Sequence, residues 1–240
     1  MSLPAAKGAR RWNPRELAGV LDHTLLAAGA TTADIQRLCD EAREHGFAAV
    51  CVNGVHVPLC AARLAGSAVK VSAVVGFPLG ANDPRAKSHE ARLALESGAR
   101  EIDMVLQIGA LRAGERELVL RDIESVVGTA RAERALVKVI LETGLLSRDE
   151  IVSACRLAEE AGAGFVKTST GFGPRGASRE DVELMRSCVG TRLGIKAAGG
   201  IRTASFAREL LAAGATRLGC SASVALVRAA ETEHLGEAET

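Results

Sequence analysis

The sequence predicts a single closed (β/α)8 barrel, the TIM-barrel class, and three observations support that prediction. Short apolar runs rich in β-branched residues recur along the chain, and a helix-sized segment separates each run from the next. The runs are apolar almost throughout, which indicates strands buried on both faces of a parallel sheet. Eight such units fit within the 240 residues, as expected for a barrel that forms one domain.

Eight apolar runs are the candidate strands. In chain order they cover residues 20–26, 48–52, 69–77, 101–106, 136–142, 165–169, 193–198 and 216–221. Apolar residues make up 48% of the chain and aromatic residues only 2%, so Val, Leu, Ile and Ala must form the core. An open doubly wound sheet is the alternative arrangement. Its first strand is usually followed by a GxGxxG or GxxxxGK[ST] loop, and neither occurs here.

The segments between the strands carry helix start and stop signals. Hydroxyl or Asp-Pro caps open the helices, and a glycine follows each of them. The expected starts are Thr31 or Thr32, Pro84 after Asp83, Ser147 and Thr203, and the expected ends are Gly46, Gly98, Gly162 and Gly214. Residues 147–150 form a capping box, in which a serine and a glutamate satisfy each other's backbone amides. These signals support alternating strands and helices.

Composition and charge limit the number of domains and the kinds of partner that we expect. We expect one domain over residues 1–240, with a short N-terminal helical segment and a frayed acidic tail over 230–240. The formal net charge of +1 gives no field that would attract nucleic acid or an anionic membrane. Residues 1–12 contain no apolar signal-peptide region, and no apolar run is long enough to cross a bilayer.

The six cysteines indicate a reducing compartment. None belongs to a CxxC motif or has a close histidine partner for metal binding, and several fall within apolar strand or helix patterns. We interpret them as free thiols of a cytoplasmic protein, with a disulfide framework as the less favoured alternative.

Charged residues interrupt the apolar strands at several points. They are Asp22, Asp103, Lys138, Lys167 and Lys196, and Thr24 adds a hydroxyl to the first strand. A single lysine at a strand end is more often a solvated or salt-bridged residue than a catalyst. The set is harder to explain in that way, because turning all of these side chains outward would bury charges against the helices. We therefore expect them at the carboxyl ends of the strands, where barrels of this class carry their active sites.

Two lysines on neighbouring strands favour imine chemistry. A lysine is a nucleophile only when neutral, and both burial and a second ammonium group lower its pKa. With one lysine neutral and the other charged, the neutral amine can attack an aldehyde or ketone, and a carboxylate can transfer the protons. No group of His, Cys and Asp residues has metal-ligand spacing, which argues against a metal-dependent reaction.

Glycine-rich loops after the last strands predict a phosphate site. Gly199 and Gly200 follow the seventh strand, and Ser221 and Ser223 follow the eighth. The loops after strands seven and eight commonly hold phosphate in this fold, where glycines let backbone amides approach the anion. The segment 170–173 after strand six could close a third side of this site.

These motifs resemble one family along nearly the whole chain, the deoxyribose-phosphate aldolases. The matching stretches are "LDHTLL", "VCVNGVHV", "VVGFPLGA", "EIDMVLQIGAL", "VKVILETGLL", "FVKTSTGF", "GIKAAGGIRT" and "RLGCSAS". The resemblance implies a (β/α)8 class I aldolase that reversibly cleaves 2-deoxy-D-ribose 5-phosphate to acetaldehyde and D-glyceraldehyde 3-phosphate. It also implies that the reaction needs no metal or organic cofactor.

The resemblance assigns roles to individual residues of this chain. It implies that Lys167 forms the Schiff base, that Lys196 is the second catalytic lysine and that Asp103 transfers protons. It implies that the phosphate is held near Gly171, Gly199, Gly200 and Ser221. The remaining positions that line or support the pocket are Asp22, Thr24, Cys51, Lys138, Thr168 and Thr170.

Two departures from the family leave points open. Some members have two adjacent serines in the last loop, whereas here Ala222 separates Ser221 from Ser223, so a second hydroxyl contact is open. Some members also use a C-terminal tyrosine in proton transfer, and this chain has no tyrosine. The alternatives are another class I aldolase, transaldolase-like or acting on a longer sugar phosphate, and a non-catalytic barrel that binds a sugar phosphate. A homodimer is a further option that the sequence does not decide.

Overall fold

The computed structural model describes residues 12–238 and forms a closed barrel of eight parallel strands. The strands are paired in chain order, and β1 pairs with β8 to close the barrel. The strands are β1 (Leu21–Leu25), β2 (Ala49–Val52), β3 (Lys70–Val75), β4 (Glu101–Val105), β5 (Leu136–Ile140), β6 (Phe165–Lys167), β7 (Gly194–Ala198) and β8 (Arg217–Cys220). Each lies within one of the eight candidate runs, so the predicted fold class is confirmed and the open sheet is excluded.

Helices connect the strands and surround them. They are α1 (Pro14–Ala18), α2 (Thr32–His45), α3 (Val57–Arg63), α4 (Pro84–Glu96), α5 (Ile108–Arg112), α6 (Arg116–Ala132), α7 (Arg148–Glu160), α8 (Arg179–Val189), α9 (Ala204–Ala212) and α10 (Ser223–Ala238). Capping boxes begin α2 at Thr31 and α7 at Ser147, and the Thr203 side chain caps α9. Gly46 ends α2 in the left-handed conformation, as the sequence predicts.

Apolar side chains form a layer between the strands and the helices. Val50, Ile102, Val139 and Ile195 point outward from their strands into this layer and are fully buried. A smaller apolar group inside the barrel comprises Leu26, Cys51 and Val74. The neighbouring inward positions carry charges instead, so the barrel interior is polar at the level of the site.

The first and last described helices meet on one side of the barrel. Helix α1 packs against α10, and a capping box at Asn13 begins α1. The frayed tail expected from Ala230 onward overlaps α10, while residues 1–11, 239 and 240 lie outside the described residues. None of the described helices is both long and apolar enough to cross a membrane. All six cysteines are free thiols, and Cys188 is the only one that is not buried.

Candidate active site

Asp103 on β4 lies at the centre of a buried charge cluster. Its Oδ2 is 2.8 Å from Lys167 Nζ and 2.7 Å from Lys196 Nζ. Its Oδ1 accepts hydrogen bonds from Lys138 Nζ at 2.7 Å and from Ser72 Oγ at 3.0 Å. Strand register produces this convergence, because Asp103 pairs with Lys138 and Lys167 pairs with Lys196 across neighbouring strands. One carboxylate therefore contacts three lysines.

A second group of charges continues the cluster below Asp103. Asp22 Oδ2 lies 2.5 Å from Lys196 Nζ, and Asp22 Oδ1 accepts a hydrogen bond of 2.5 Å from Arg217 Nε. Arg217 Nη2 contacts both oxygens of Glu101, at 2.7 and 2.8 Å. Glu101 Oε2 lies 2.6 Å from Lys138 Nζ, which joins the two groups. The charges form one continuous network across six strands.

The network holds more basic groups than acidic ones. Three carboxylates, on Asp22, Glu101 and Asp103, face four basic groups on Lys138, Lys167, Lys196 and Arg217. Because uncompensated charge is costly in a buried site, losing one proton from a lysine balances the cluster. Lys167 is the lysine with a single carboxylate contact, whereas Lys138 and Lys196 each contact at least two.

The pKa values of the two lysines at Asp103 Oδ2 are shifted in opposite directions, in agreement with their different numbers of carboxylate contacts. Burial lowers the pKa of Lys167; Asp103 opposes this shift, and the nearby charge of Lys196 adds to it. Burial also acts to lower the pKa of Lys196, but attraction by Asp103 and Asp22 outweighs it, so that pKa is raised. The surrounding lysines hold the pKa of Asp103 well below its usual range despite burial. The geometry therefore favours a neutral Lys167 beside a charged Lys196.

A cavity of about 410 Å³ opens above Lys167 at the carboxyl ends of the strands. Of the residues predicted for the site, those that line it are Thr24, Lys167, Thr170, Gly171, Gly199, Gly200 and Ser221. Asp22, Asp103, Lys138 and Lys196 lie beneath this cavity and are fully buried. Cys51 is also fully buried, with its Sγ 3.9 Å from Asp103 Oδ2.

Three glycines of the predicted phosphate site have left-handed backbone conformations. Their φ angles are +88° for Gly171, +88° for Gly199 and +77° for Gly200. Side chains other than glycine rarely adopt this region, so the loop path itself requires glycine at these positions. A Cβ atom on Gly199 would lie 3.0 Å from the Cα of Gly176 and 3.5 Å from that of Gly171, so the loops are in close contact.

The hydroxyl of Thr168, predicted for the pocket, and that of Ser223, whose contact was left open, bond to nearby backbone and are not among the groups that line the cavity. Thr168 Oγ1 donates to the carbonyl of Ala198 at 3.2 Å and accepts from its amide at 3.1 Å, which ties β6 to β7. Ser223 is fully buried at the start of α10 and donates to the carbonyl of Cys220 at 3.0 Å. Of the two serines in the last loop, Ser221 is the one that lines the cavity.

Sequence reasoning missed several residues of the site. They are Ser72, Glu101, Arg217, Glu142 and Arg202, of which Arg202 lines the cavity. Strand alternation carried a signal for Glu101, because it lies two residues before Asp103 and so shares its inward face. Gly219 of the last strand leaves room for the side chain of Lys196. A Cβ atom there would lie 2.8 Å from Lys196 Cε.

Within the part of the chain that the structure describes, no three His, Cys, Asp or Glu side chains lie close enough together to hold a metal ion.

Comparison with known proteins places these features in a family. The family model described as DeoC/LacD family aldolase matches residues 17–226. The chain is similar to the deoxyribose-phosphate aldolase of Geobacillus sp. (strain WCH70), at 53% identity over 88% of this chain and 94% of that protein. It is also similar to the deoxyribose-phosphate aldolase of Aciduliprofundum boonei, at 54% identity over 90% and 98% of the two chains.

Solved structures give the same result. The tetrameric deoxyribose phosphate aldolase of Aeropyrum pernix matches with a TM-score of 0.86 and 33% identity, over 92% of this chain and 93% of that chain. A structure described as QR15, an aldolase, matches with a TM-score of 0.87 and 35% identity, over 92% and 98% of the two chains.

Proposed function

The chain belongs to the DeoC/LacD family of aldolases, and we propose that it acts as a deoxyribose-phosphate aldolase. It reversibly cleaves 2-deoxy-D-ribose 5-phosphate to acetaldehyde and D-glyceraldehyde 3-phosphate through a Schiff base. The observation that carries this proposal is the shared oxygen of Asp103, which lies 2.8 Å from Lys167 Nζ and 2.7 Å from Lys196 Nζ. A neutral and a charged lysine at one carboxylate provide a nucleophile and a proton carrier.

Lys167 is the nucleophile in the proposed mechanism. In the synthetic direction its neutral Nζ attacks the carbonyl carbon of acetaldehyde, and the carbonyl oxygen takes up a proton to give a carbinolamine. Loss of water from the carbinolamine gives an iminium ion. Removal of a proton from the adjacent methyl carbon then gives an enamine. Asp103 Oδ2 lies within hydrogen-bonding distance of both Lys167 Nζ and Lys196 Nζ, and Asp103 and Lys196 transfer these protons with water as the relay.

The enamine carbon then attacks the aldehyde carbon of glyceraldehyde 3-phosphate to form the new carbon–carbon bond. The aldehyde oxygen takes up a proton, and water hydrolyses the iminium ion to release the product and free Lys167. Gly171, Gly199, Gly200 and Ser221 hold the phosphate of the acceptor, with Arg202 as an additional cation at the cavity. Anchoring the phosphate holds the aldehyde next to the enamine, which supplies the orientation that the bond-forming step needs.

Borohydride trapping tests the assignment of the nucleophile. Incubating the protein with 2-deoxyribose 5-phosphate and borohydride should leave a reduced adduct on the peptide that contains Lys167, read by mass spectrometry. Lys167→Leu should abolish both trapping and turnover while keeping the fold. Lys70→Leu is the matched control, because Lys70 is an exposed lysine on β3 and its loss should change neither readout.

The same measurements separate the alternatives. Full trapping in Lys167→Leu would refute the role of that lysine. Trapping without release of acetaldehyde from 2-deoxyribose 5-phosphate would indicate a class I aldolase of another substrate. An absence of trapping in the wild-type protein would favour the non-catalytic barrel. A homodimer stays a prediction, since the tetramer is a property of the A. pernix protein.

A further inference from the structure

Glu142 is a buried carboxylate in an unusual backbone conformation. It follows β5 directly after Leu141, its φ and ψ are +56° and +60°, and its residue surface is 2% exposed. A residue other than glycine in the left-handed region is strained, and a buried carboxylate loses its hydration. Both features lower the stability of the fold, so contacts with the surrounding structure must hold Glu142 in this conformation.

The contacts of Glu142 connect it to the loop that follows β6. Its Oε2 accepts hydrogen bonds from both the amide, at 3.2 Å, and the hydroxyl of Thr170. The Thr170 hydroxyl oxygen in turn accepts a hydrogen bond of 3.0 Å from the amide of Phe172. Glu142 therefore fixes the residues on both sides of Gly171, one of the glycines that line the cavity.

The backbone around Glu142 is tied to the same segment. The amide of Leu141 donates to the carbonyl of Lys167 at 2.9 Å, and the amide of Thr143 donates to the carbonyl of Thr168 at 2.9 Å. The left-handed residue lies between these two bonds, so it continues the pairing of β5 with β6 while its carboxylate reaches Thr170. The loop path beyond β6 is thus set from β5.

The loop packs tightly over this carboxylate. A Cβ atom on Gly173 would lie 2.7 Å from both Cδ and Oε1 of Glu142, which shows that the chain closes directly over the acid. Oε1 is buried without a hydrogen-bond partner, and Oε2 already accepts the bonds from Thr170. The hydrogen-bonding capacity of Oε2 is therefore directed at the loop.

The electrostatic effect of Glu142 opposes the function of the neighbouring loop. A negative charge beside an anion site disfavours phosphate, so a direct binding role is ruled out by sign. A positioning role resolves this conflict, because the carboxylate is the acceptor that fixes Thr170 and thereby Gly171. Gly171 lies close to Gly199, because a Cβ atom on Gly199 would come within 3.5 Å of the Gly171 Cα, so the position of Gly171 affects both loops of the phosphate site.

We propose that Glu142 is a positioning residue that sets the affinity for the phosphate group by fixing the segment Thr170–Phe172. This inference rests on the proposed function for the identity of the substrate. The loss of Glu142 changes the binding of phosphorylated substrate and leaves the chemistry at Lys167 intact. Its carboxamide analogue keeps an oxygen that can accept both hydrogen bonds from Thr170.

The experiment compares Glu142→Ala with Glu142→Gln on two substrates and one anion. Expected for Glu142→Ala is a KM for 2-deoxyribose 5-phosphate about 10-fold higher, with kcat within about 3-fold of wild type. The kcat/KM for unphosphorylated 2-deoxyribose should be unchanged. Calorimetry should show inorganic phosphate binding about 10-fold more weakly, and Glu142→Gln should restore most of the difference. Glu183→Ala, at an exposed glutamate of α8, is the matched control and should change nothing.

Several outcomes would overturn the inference. Equal losses of kcat/KM on the phosphorylated and unphosphorylated sugars would indicate a purely structural role, and unchanged phosphate binding in Glu142→Ala would refute positioning directly. If Glu142→Ala does not fold, Thr170→Val provides the test, since it removes the hydroxyl bond and keeps the shape; it must show the same selective loss of phosphate affinity. A wild-type protein that binds phosphate but cleaves neither sugar would refute the proposed function, while the phosphate measurements still decide the role of Glu142.

Discussion

Replacing Lys196 with methionine tests whether its charge keeps Lys167 neutral. Lys196 Nζ and Lys167 Nζ both contact Asp103 Oδ2, at 2.7 and 2.8 Å, and Lys196 is fully buried. Methionine keeps most of the apolar volume and removes the positive charge. Without that charge, protonation of Lys167 is opposed less strongly, and Asp103 has one cation fewer. The pKa of Lys167 should therefore rise.

The distance between the two lysine nitrogens gives the size of the expected pKa change. Because both nitrogens contact the same oxygen, they are at most about 5.5 Å apart, and two unit charges at that distance repel by about 3 kcal/mol at an effective dielectric constant of about 20. That energy corresponds to a factor of about 100 in the ratio of neutral to charged Lys167. Burial remains in the variant and is the largest cause of the lowered pKa, so the shift should be partly retained.

The assay is the rate at which acetaldehyde and cyanoborohydride label Lys167, measured across pH. Only the neutral amine forms the imine, so the rate in Lys196→Met should be about 100-fold lower than wild type on the acidic side. It should rise with pH, so that the difference from wild type narrows toward the alkaline end. Lys70→Met, at an exposed lysine, should follow the wild-type profile.

A rate that is lowered by the same factor at every pH would refute the charge-coupling argument. That result would mean that Lys196 acts only in proton transfer and that burial alone accounts for the reactivity of Lys167. A profile that moves toward acidic pH would contradict the sign of the interaction.

The remaining predictions concern stability and the last loop. Lys87 and Asp122 form a fully buried ion pair of 2.7 Å between α4 and α6, and Lys87→Met should lower the free energy of unfolding by about 3–5 kcal/mol, because it leaves Asp122 without its partner. The double variant Lys87→Met with Asp122→Leu should recover most of that loss in urea unfolding; a double variant as unstable as the single one would contradict this reasoning. Ser221→Ala should raise the KM for 2-deoxyribose 5-phosphate about 10-fold, whereas Ser223→Ala should leave KM unchanged, since its hydroxyl donates to the Cys220 carbonyl. Steady-state kinetics of the two serine variants checks this difference, and equal effects on KM would argue against the assignment of Ser221.

Local sequence signals predicted most of the fold. Continuous apolar runs reveal strands buried on both faces, and caps such as Thr31 and Ser147 satisfy backbone amides within a few residues of themselves. Strand ends were less well defined, and the candidate strand 69–77 is observed as Lys70–Val75. The apolar run continues past the end of that strand, where Gly76 adopts φ +61°.

The candidate site was predicted only in part. Motifs identified Lys167, Lys196 and Asp103, and the alternation of side chains along strands was consistent with a shared inward face. Thr168 was expected to line the pocket and the contact of Ser223 was left open, and nearby backbone carbonyls accept the hydrogen bonds of both hydroxyls. Such choices depend on which acceptor the folded chain brings within reach of a hydroxyl.

By itself, the sequence determined the order of strands and helices and identified the lysines and the aspartate of the proposed amine chemistry, since these follow from local patterns and motifs. Only the tertiary structure decided which charges balance one another. Asp22 and Arg217 are 195 positions apart in the chain and meet because β1 pairs with β8 to close the barrel. Charge compensation in a buried cluster depends on distances between strands, and no local pattern encodes those distances.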